Sequence, residues 1–162
     1  MGKTMRHDPP ISAPARMLGF AGLLPQLLAL LLTATGIDPA LGALMALGYA
    51  TLIVSFLGGI WWGFAMRAGD RQPRMTALAV IPTVAAFALI VARMTGFGAD
   101  WALVAIAVVL MLTLIVDRMF VEEGVAPPGW MGLRTPLSIG LAALTIATGI
   151  VAPEHILINY SN

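Results

Sequence analysis

Five long apolar runs, separated by short polar breaks, constrain this chain more than any other feature of its sequence. The runs cover approximately residues 15–35, 40–66, 75–94, 99–120 and 135–152. A helix needs roughly 20 apolar residues to cross a bilayer core about 30 Å thick, and each run is close to that length. Because backbone polar groups in lipid must be satisfied within the segment, we expect helices. The sequence therefore predicts an all-α integral membrane protein, a bundle of five transmembrane helices.

The composition agrees with this prediction. Only 10% of the 162 residues are charged and 59% are hydrophobic, whereas an ordinary soluble domain carries about 25% charged residues. The net charge of +1 provides no basic field for binding nucleic acid. The chain contains no cysteine, which excludes disulfides, thiolate metal sites and cysteine nucleophiles.

Polar segments flank the apolar runs. We predict a polar tail over residues 1–14, a transmembrane domain over residues 15–153 and a short second tail over residues 154–162. A polar, basic segment followed by an apolar run is also typical of a secretory signal. We expect the first run to be retained as a span, because it continues to Leu32 and no clear small-residue cleavage site follows it.

The positions of the basic residues predict the orientation. Eight of the nine Lys and Arg residues lie before or at the start of the first run, or around the second and fourth connections, and Arg93 alone lies on the other side. Because cytoplasmic loops are enriched in Lys and Arg, we predict a cytoplasmic amino terminus and a periplasmic carboxyl terminus in a bacterial inner membrane. The second connection carries Arg67, Arg71 and Arg74, which we expect to contact anionic lipid headgroups.

The apolar runs offer little for catalysis. Their central parts contain no Asp, Glu, Lys, Arg or His, and Gln26 is the strongest polar group at depth. Charged groups inside a membrane usually mark function, so we do not expect a proton relay or ion-coupled transport. His7 and His155 both lie outside the runs, without a second histidine at ligand spacing. We therefore predict no catalytic residues and no metal.

The most distinctive stretch is SFLGGIWWG, residues 55–63, in the second run. Small residues recur there at every fourth position, at Thr51, Ser55, Gly59 and Gly63. Such a stripe lets two helices approach closely in lipid, and we predict that it forms a helix-packing seam. The neighbouring tryptophans have two interpretations, as interfacial anchors or as an aromatic wall for a quinone, lipid headgroup or pigment. The candidate ligand contacts are Gln26, Trp61, Trp62 and Trp130.

A charged pair is expected near the fourth connection. Asp117 lies at the end of the fourth run and Arg134 precedes the fifth, so both residues lie at a similar depth in the predicted topology. Arg–carboxylate bonds are strong when they are partly desolvated. We predict a cytoplasmic ion pair of Asp117 and Arg134 that fixes the connection against the bundle. Alternatively, Arg134 joins the three arginines of the second connection in a headgroup site.

Three parts of the sequence carry a resemblance to a known family. They are LGFAGLLP at residues 18–25, Tyr49 together with residues 55–63, and Asp117 followed by Trp130-x-x-Leu133-Arg134. Together they resemble a domain-of-unknown-function family of small five-span proteins of bacterial and mitochondrial inner membranes, which includes the animal transmembrane protein sixty-nine. The resemblance implies topology and location, and no settled activity. Trp61 stands where a histidine is common in that family, and Met131 stands where a tyrosine is common.

Three functional hypotheses follow. The first is a non-catalytic accessory, assembly or stabilising subunit that packs against a larger respiratory or photosynthetic membrane complex. The second is a binding protein or carrier for a lipophilic small molecule, with a bound lipid or quinone in place of any other cofactor. The third, a lipid-modifying enzyme, requires Asp117, Arg134 and Glu122 to converge. The expected partners are membrane lipids and other integral membrane subunits, and nucleic acid is not expected.

Overall fold

The computed structural model describes residues 11–152, and within this range every regular element is helical and no strand occurs. The helices are α1 (Ala13–Ala21), α2 (Leu24–Ala34), α3 (Pro39–Ala65), α4 (Gln72–Met94), α5 (Ala99–Glu122) and α6 (Trp130–Val151), with a short 3-10 turn at Gly69–Arg71. Most of the predicted first tail and all of the second tail lie outside the described residues.

Within the described range, five stretches are long and apolar enough to cross a membrane: Ala13–Ala34, Pro39–Ala65, Gly69–Met94, Ala99–Glu122 and Trp130–Val151. The prediction of an all-helical, multi-pass protein with five spans is therefore confirmed in its architecture. One difference in bounds concerns the last span, which begins at Trp130 and not near residue 135. The extra turn places Arg134 inside a helix and not in the preceding connection.

The first span consists of two helices with a break between them. α1 ends before Gly22, and α2 begins at Leu24 with Pro25 in its first turn. Proline is tolerated there because the first helical residues need no backbone N–H partner. The Tyr49 hydroxyl, which belongs to α3, donates a hydrogen bond to the Gly22 carbonyl oxygen at the break. A side chain from a neighbouring helix thus holds the break in place.

α3 contacts α2, α4, α5 and α6, and it approaches two of them very closely. A Cβ built on Gly42 would lie 2.7 Å from the carbonyl oxygen of Ala29 in α2, and one on Gly58 would lie 2.5 Å from the carbonyl oxygen of Ala79 in α4. Real Cβ atoms essentially never approach other atoms closer than 3.0 Å. Glycine at these two positions is therefore what allows the backbones to pack in contact.

The predicted packing seam is wrong in its position. Gly59 and Gly63 are exposed, and nothing lies within 4 Å of a Cβ built on either residue. Thr51 is buried, and Ser55 is half-buried. Successive residues of an α-helix are rotated by about 100°, so the change from Gly59 to Gly58 moves the seam to a different face of α3.

Two connections meet at one end of the bundle. Arg71 donates from Nη1 to the carbonyl oxygen of Glu123 at 2.9 Å, and its Nη1 lies 3.3 Å from Oε2 of the same residue. Arg74 Nη1 lies 3.2 Å from Glu123 Oε1. These contacts join the α3–α4 connection to the α5–α6 connection. We call this the basic end of the bundle, because it carries Arg67, Arg71, Arg74, Arg118 and Arg134.

Candidate functional site

A buried carboxylate lies inside the bundle near its basic end. Asp117 is 0% exposed. Its Oδ1 accepts hydrogen bonds from the indole nitrogens of Trp61 and Trp130, each at 2.8 Å, and its Oδ2 accepts one from Arg134 Nε at 2.8 Å. The predicted pairing of Asp117 with Arg134 is confirmed. The pair is nevertheless buried, with the Arg134 side chain 6% exposed, and it lies within α5 and α6, whereas the prediction put Asp117 at the end of its run and Arg134 just ahead of the next.

Three helices position these side chains. Asp117 lies on α5, Trp61 on α3, and Trp130 and Arg134 lie four residues apart on one face of α6. Arg134 also donates from Nη2 to Thr113 Oγ1 at 3.1 Å, one turn before Asp117 on α5. We call these five residues the Asp117 cluster. Its hydrogen bonds connect α3, α5 and α6 near their ends.

Both carboxylate oxygens of Asp117 have donors, which explains why the charge can be buried. A buried charge is very unfavourable unless it is paired and hydrogen-bonded. Removing one partner of such a pair typically costs about 3–5 kcal/mol, because the other charge is then left uncompensated. The arrangement therefore holds three helices in register, and Asp117 already accepts three hydrogen bonds from side chains of the protein.

Aromatic side chains pack around the cluster. Phe120 meets Trp61 edge-on with ring centroids 5.8 Å apart, and Phe64 meets Trp130 in the same way at 5.3 Å. Phe64 and Phe120 also contact each other at 6.3 Å. Such pairs contribute about 0.5–1.5 kcal/mol beyond the area they bury. The carboxylate is thus shielded from outside by rings as well as by helices.

These contacts correct the prediction for the two adjacent tryptophans. Trp61 is 2% exposed, and its indole N–H donates to Asp117. It therefore offers no exposed ring face against which a ligand could stack. Trp62 is 47% exposed and points outward from α3. It is absent from the lining of the two cavities described below. Of the predicted tryptophan contacts, only Trp130 lines either of these two cavities.

A cavity of about 320 Å³ lies between the first span, α3, α5 and α6. Its polar lining residues are Trp130, Arg134 and Ser138, which follow one another at every fourth position of α6. The remaining lining is apolar or glycine: Leu18, Gly19, Gly22, Leu23, Ile53, Phe56, Leu57, Ile60, Leu110, Leu133, Leu137 and Leu141. We call it the α1–α6 cavity. An apolar space with a few polar groups along one wall is typical of a site for a small lipophilic molecule.

Ser138 differs from the other buried hydroxyl groups. Thr33, Thr51, Thr145 and Thr148 each donate to the carbonyl oxygen four residues earlier in their own helix. Ser138 is 1% exposed, and its Oγ has no hydrogen-bond partner among the described residues. A buried polar group left unpaired costs about 1–3 kcal/mol. A molecule in the cavity that bonds to this hydroxyl would recover that free energy.

A smaller cavity of about 240 Å³ lies at the amino-terminal end of α6. It is lined by Ile11, Arg16, Gly129, Gly132 and Leu133. Leu133 lines both cavities, so the two lie on either side of this side chain. The guanidinium of Arg16 is exposed and makes the smaller cavity the more polar of the two.

Gln26, predicted as a candidate ligand contact, does not line the α1–α6 cavity. Its Nε2 donates to Thr145 Oγ1 at 2.9 Å, which links α2 to α6. Its Oε1 is buried without a partner among the described residues. Gln26 is therefore a helix-linking residue in this structure, at a separate position from Ser138.

The arginines of the α3–α4 connection are partly engaged within the protein. Arg71 and Arg74 both bind Glu123, while their side chains remain 46% and 62% exposed. Arg67 is exposed. Two of the three arginines predicted to contact headgroups therefore also form ion pairs that hold the connections together. All three side chains still reach the surface.

Sequence reasoning missed Thr113, Phe120 and Ser138. It also placed Asp117 at the end of its run, although Met119, Phe120 and Val121 continue the apolar pattern beyond it. That continuation was a usable signal that Asp117 lies within a helix. Nothing in the sequence distinguishes Ser138 from the other hydroxyls of the spans, because the difference is the absence of a partner in three dimensions.

The remaining predicted chemistry does not assemble in the described range. No group of three or more His, Cys, Asp or Glu side chains there could hold a metal ion, and His7 and His155 lie outside it. Glu122 binds Arg118 at 2.9 Å on the surface of α5 and does not join Asp117 and Arg134. The convergence required by the enzyme hypothesis is therefore not present.

A family model described as "Protein of unknown function (DUF3429)" matches residues 11–150. No curated protein and no solved structure matches the chain. The resemblance to a domain-of-unknown-function family is confirmed, while the relation to the animal transmembrane protein remains a prediction. With a match over nearly all of its described residues, this five-span chain belongs to the DUF3429 family.

Proposed function

We propose that this protein is a non-catalytic binding protein for a lipophilic small molecule, which it holds in the α1–α6 cavity. The observation that carries the proposal is the buried, unpartnered hydroxyl of Ser138, a residue that lines that cavity. The volume of about 320 Å³ lies at the lower end of the range of about 300–1,000 Å³ found for small-molecule sites. It suits a ring or a short segment of chain.

The first span supplies the entrance to this cavity. α1 has no buried residue and is separated from α2 by the break after Ala21. Gly19, in α1, and Gly22, at the break, both line the cavity. A helix with little buried area opens at low free-energy cost, so α1 can move aside to admit a molecule from the lipid.

Five helical stretches within residues 11–152 are long and apolar enough to span a membrane, and we propose the bacterial inner membrane with the basic end in the cytoplasm. The ion pairs from Arg71 and Arg74 to Glu123 bring the α3–α4 and α5–α6 connections to the basic end, where the five arginines that define this end lie, which is the arrangement that the positive-inside rule favours. In this orientation the amino terminus is cytoplasmic and the carboxyl terminus is periplasmic. Arg67, with the exposed parts of Arg71 and Arg74, then faces anionic headgroups.

The lining of the α1–α6 cavity favours binding over catalysis. It contains one hydroxyl and one guanidinium, and the carboxylate nearest to them, Asp117, accepts bonds from Arg134 and both indoles. A hydroxyl nucleophile needs an adjacent general base, and no His, Asp or Glu is among the residues that line this cavity. Binding and release of an intact molecule are the simplest use of such a site.

Native mass spectrometry of protein extracted in mild detergent tests the proposal. We expect a lipophile to accompany the wild-type protein, and Ile53→Trp, which fills the cavity from α3, to remove it. Leu52→Trp is the matched control, because Leu52 is 68% exposed and does not line the cavity. Wild-type protein without any bound lipophile, or Ile53→Trp with the same content, would overturn the proposal.

A second candidate is the accessory subunit of a respiratory or photosynthetic membrane complex. It is favoured by Gly59 and Gly63, which leave a shallow apolar surface on the outward face of α3 where another helix could pack. Mild-detergent purification followed by mass measurement tests it. We expect Gly59→Leu with Gly63→Leu to release a co-purifying subunit, whereas Val80→Leu with Val84→Leu, on the outward face of α4, should not. A wild-type protein that purifies alone contradicts this candidate.

A further inference from the structure

The polar groups of the α1–α6 cavity restrict the chemistry of what it can hold. We infer that the cavity takes a neutral lipophile that presents a carbonyl oxygen to Ser138 and Arg134. This inference rests on the proposed function, because it assumes that a lipophile binds there. It goes further by excluding anionic lipids and by naming the group that is recognised.

The first step is the charge of the cavity wall. Arg134 is the one charged residue in the lining, and its Nε lies 2.8 Å from Asp117 Oδ2. The positive charge of the guanidinium is therefore already balanced by the buried carboxylate of Asp117. An anionic head placed against this wall would be buried without a countercharge of its own, which is strongly unfavourable in an apolar space.

The second step is the balance of donors and acceptors. A guanidinium carries five N–H donors and no acceptor. The described contacts of Arg134 involve Nε and Nη2, so Nη1 donates to none of the described residues. The indole N–H of Trp130 donates to Asp117 Oδ1 and is not available to a ligand. The wall therefore has spare donors, from Arg134 Nη1 and the Ser138 hydroxyl, and lacks a partner that accepts.

The third step is position. Arg134 and Ser138 lie one turn apart on α6, and both residues line the cavity. The Ser138 Oγ is itself buried in this structure, and rotation about the first side-chain torsion turns it toward the cavity without moving the backbone. A carbonyl oxygen has two lone pairs and accepts from both groups at once. The leucines and isoleucines opposite then cover an apolar body.

A carbonyl on a neutral apolar body occurs both in a quinone ring and in an acylglycerol ester. Isothermal titration calorimetry in detergent can separate these sources. The three probes are a short-tailed benzoquinone, dioctanoylglycerol, and dioctanoyl phosphatidic acid, which has the same chains as the second probe and adds a phosphate. We expect at least one neutral probe to bind at least tenfold more tightly than the phosphatidic acid, and the tighter neutral probe identifies the source.

The variant Ser138→Ala tests where the carbonyl lies. Loss of one hydrogen bond should weaken binding of the neutral probe roughly 3- to 10-fold. Ser55→Ala is the matched control, a serine within a span that does not line the cavity, and should leave binding unchanged. If Ser138→Ala binds as tightly as the wild-type protein, the assignment of the carbonyl is wrong.

The outcomes separate the inference from the proposed function. Binding of phosphatidic acid as tightly as the neutral probes would overturn the inference and leave the proposed function standing. The same holds if none of the probes binds but a different lipophile is found by native mass spectrometry. Absence of any lipophile in both experiments would overturn both.

Discussion

Two polar positions one turn apart on α6 have opposite surroundings. Arg134 belongs to the Asp117 cluster, in which the carboxylate accepts three hydrogen bonds and helices α3, α5 and α6 are tied together. Ser138 faces the side of the bundle where α1 buries no residue and a cavity remains, and its hydroxyl has no partner among the described residues. The Asp117 carboxylate is fully bonded without a further molecule, whereas the Ser138 hydroxyl is not. The closed side therefore supports the fold, and the open side is where binding is expected.

The largest effect is expected from Asp117→Ala, which leaves the Arg134 guanidinium and two indole N–H groups without their acceptor. We expect a loss of about 3–5 kcal/mol in the free energy of unfolding. The measurement is an SDS titration in mixed micelles, followed by circular dichroism. Glu122→Ala, in the exposed pair with Arg118, is the control and should cost at most about 1 kcal/mol. Equal effects for the two variants would contradict a structural role for the cluster.

Trp61→Phe tests one hydrogen bond of the cluster at nearly constant shape. It removes the donor that lies 2.8 Å from Asp117 Oδ1 and keeps most of the packing on Phe120. Because the acceptor is charged, we expect a loss of about 1.5–3 kcal/mol in the same titration. Trp62→Phe changes the adjacent, outward-facing residue and should stay within about 0.5 kcal/mol.

Two glycine substitutions compare the packing of the closed and open sides. A Cβ at Gly58 would lie 2.5 Å from the backbone oxygen of Ala79, so Gly58→Ala should force α3 and α4 apart and cost about 1–3 kcal/mol. A Cβ at Gly19 would meet the flexible ends of Leu137 and Leu133 at 3.2 and 3.3 Å. Gly19→Ala should therefore cost less than Gly58→Ala in unfolding titrations. The reverse order would show that α1 is packed as tightly as α4.

The smallest effect on stability is expected from Ser138→Ala. In ligand-free protein it removes a hydroxyl that has no partner among the described residues, so the free energy of unfolding should be unchanged or should rise by up to about 1 kcal/mol. Thr145→Ala is the contrasting variant, because its Oγ1 accepts from Gln26 Nε2. That variant should lose about 0.6–1.7 kcal/mol. A destabilised Ser138→Ala, measured after delipidation, would show that the hydroxyl is structurally engaged.

The sequence predicted the number of spans and the pairing of Asp117 with Arg134, because length, hydropathy and charge are properties of segments. It could not predict which face of α3 is buried. In a soluble protein the polar face of a helix points to water, but in this chain both faces of α3 are apolar, and Gly58 and Gly59 look alike. Only the contact with the carbonyl oxygen of Ala79 distinguishes them.

The candidate site was less predictable than the fold, for the same reason. Trp61 and Trp62 are adjacent and chemically identical, yet one is buried against Asp117 and the other faces outward. The start of α6 at Trp130 could not be read from hydropathy, because Gly132, Arg134 and Pro136 interrupt the apolar pattern. That start puts Trp130, Arg134 and Ser138 on one face, which no single segment of sequence reveals.

The division of the four tryptophans has an optical consequence. Trp61 and Trp130 donate to a carboxylate, whereas Trp62 and Trp101 are 47% and 64% exposed on the outside of the helices. In bilayers of brominated lipids, the bromine atoms should quench the fluorescence of Trp62 and Trp101. The remaining fluorescence should come from Trp61 and Trp130, the indoles beside Asp117. This remaining tryptophan fluorescence therefore reports on the interior around Asp117, without an attached dye.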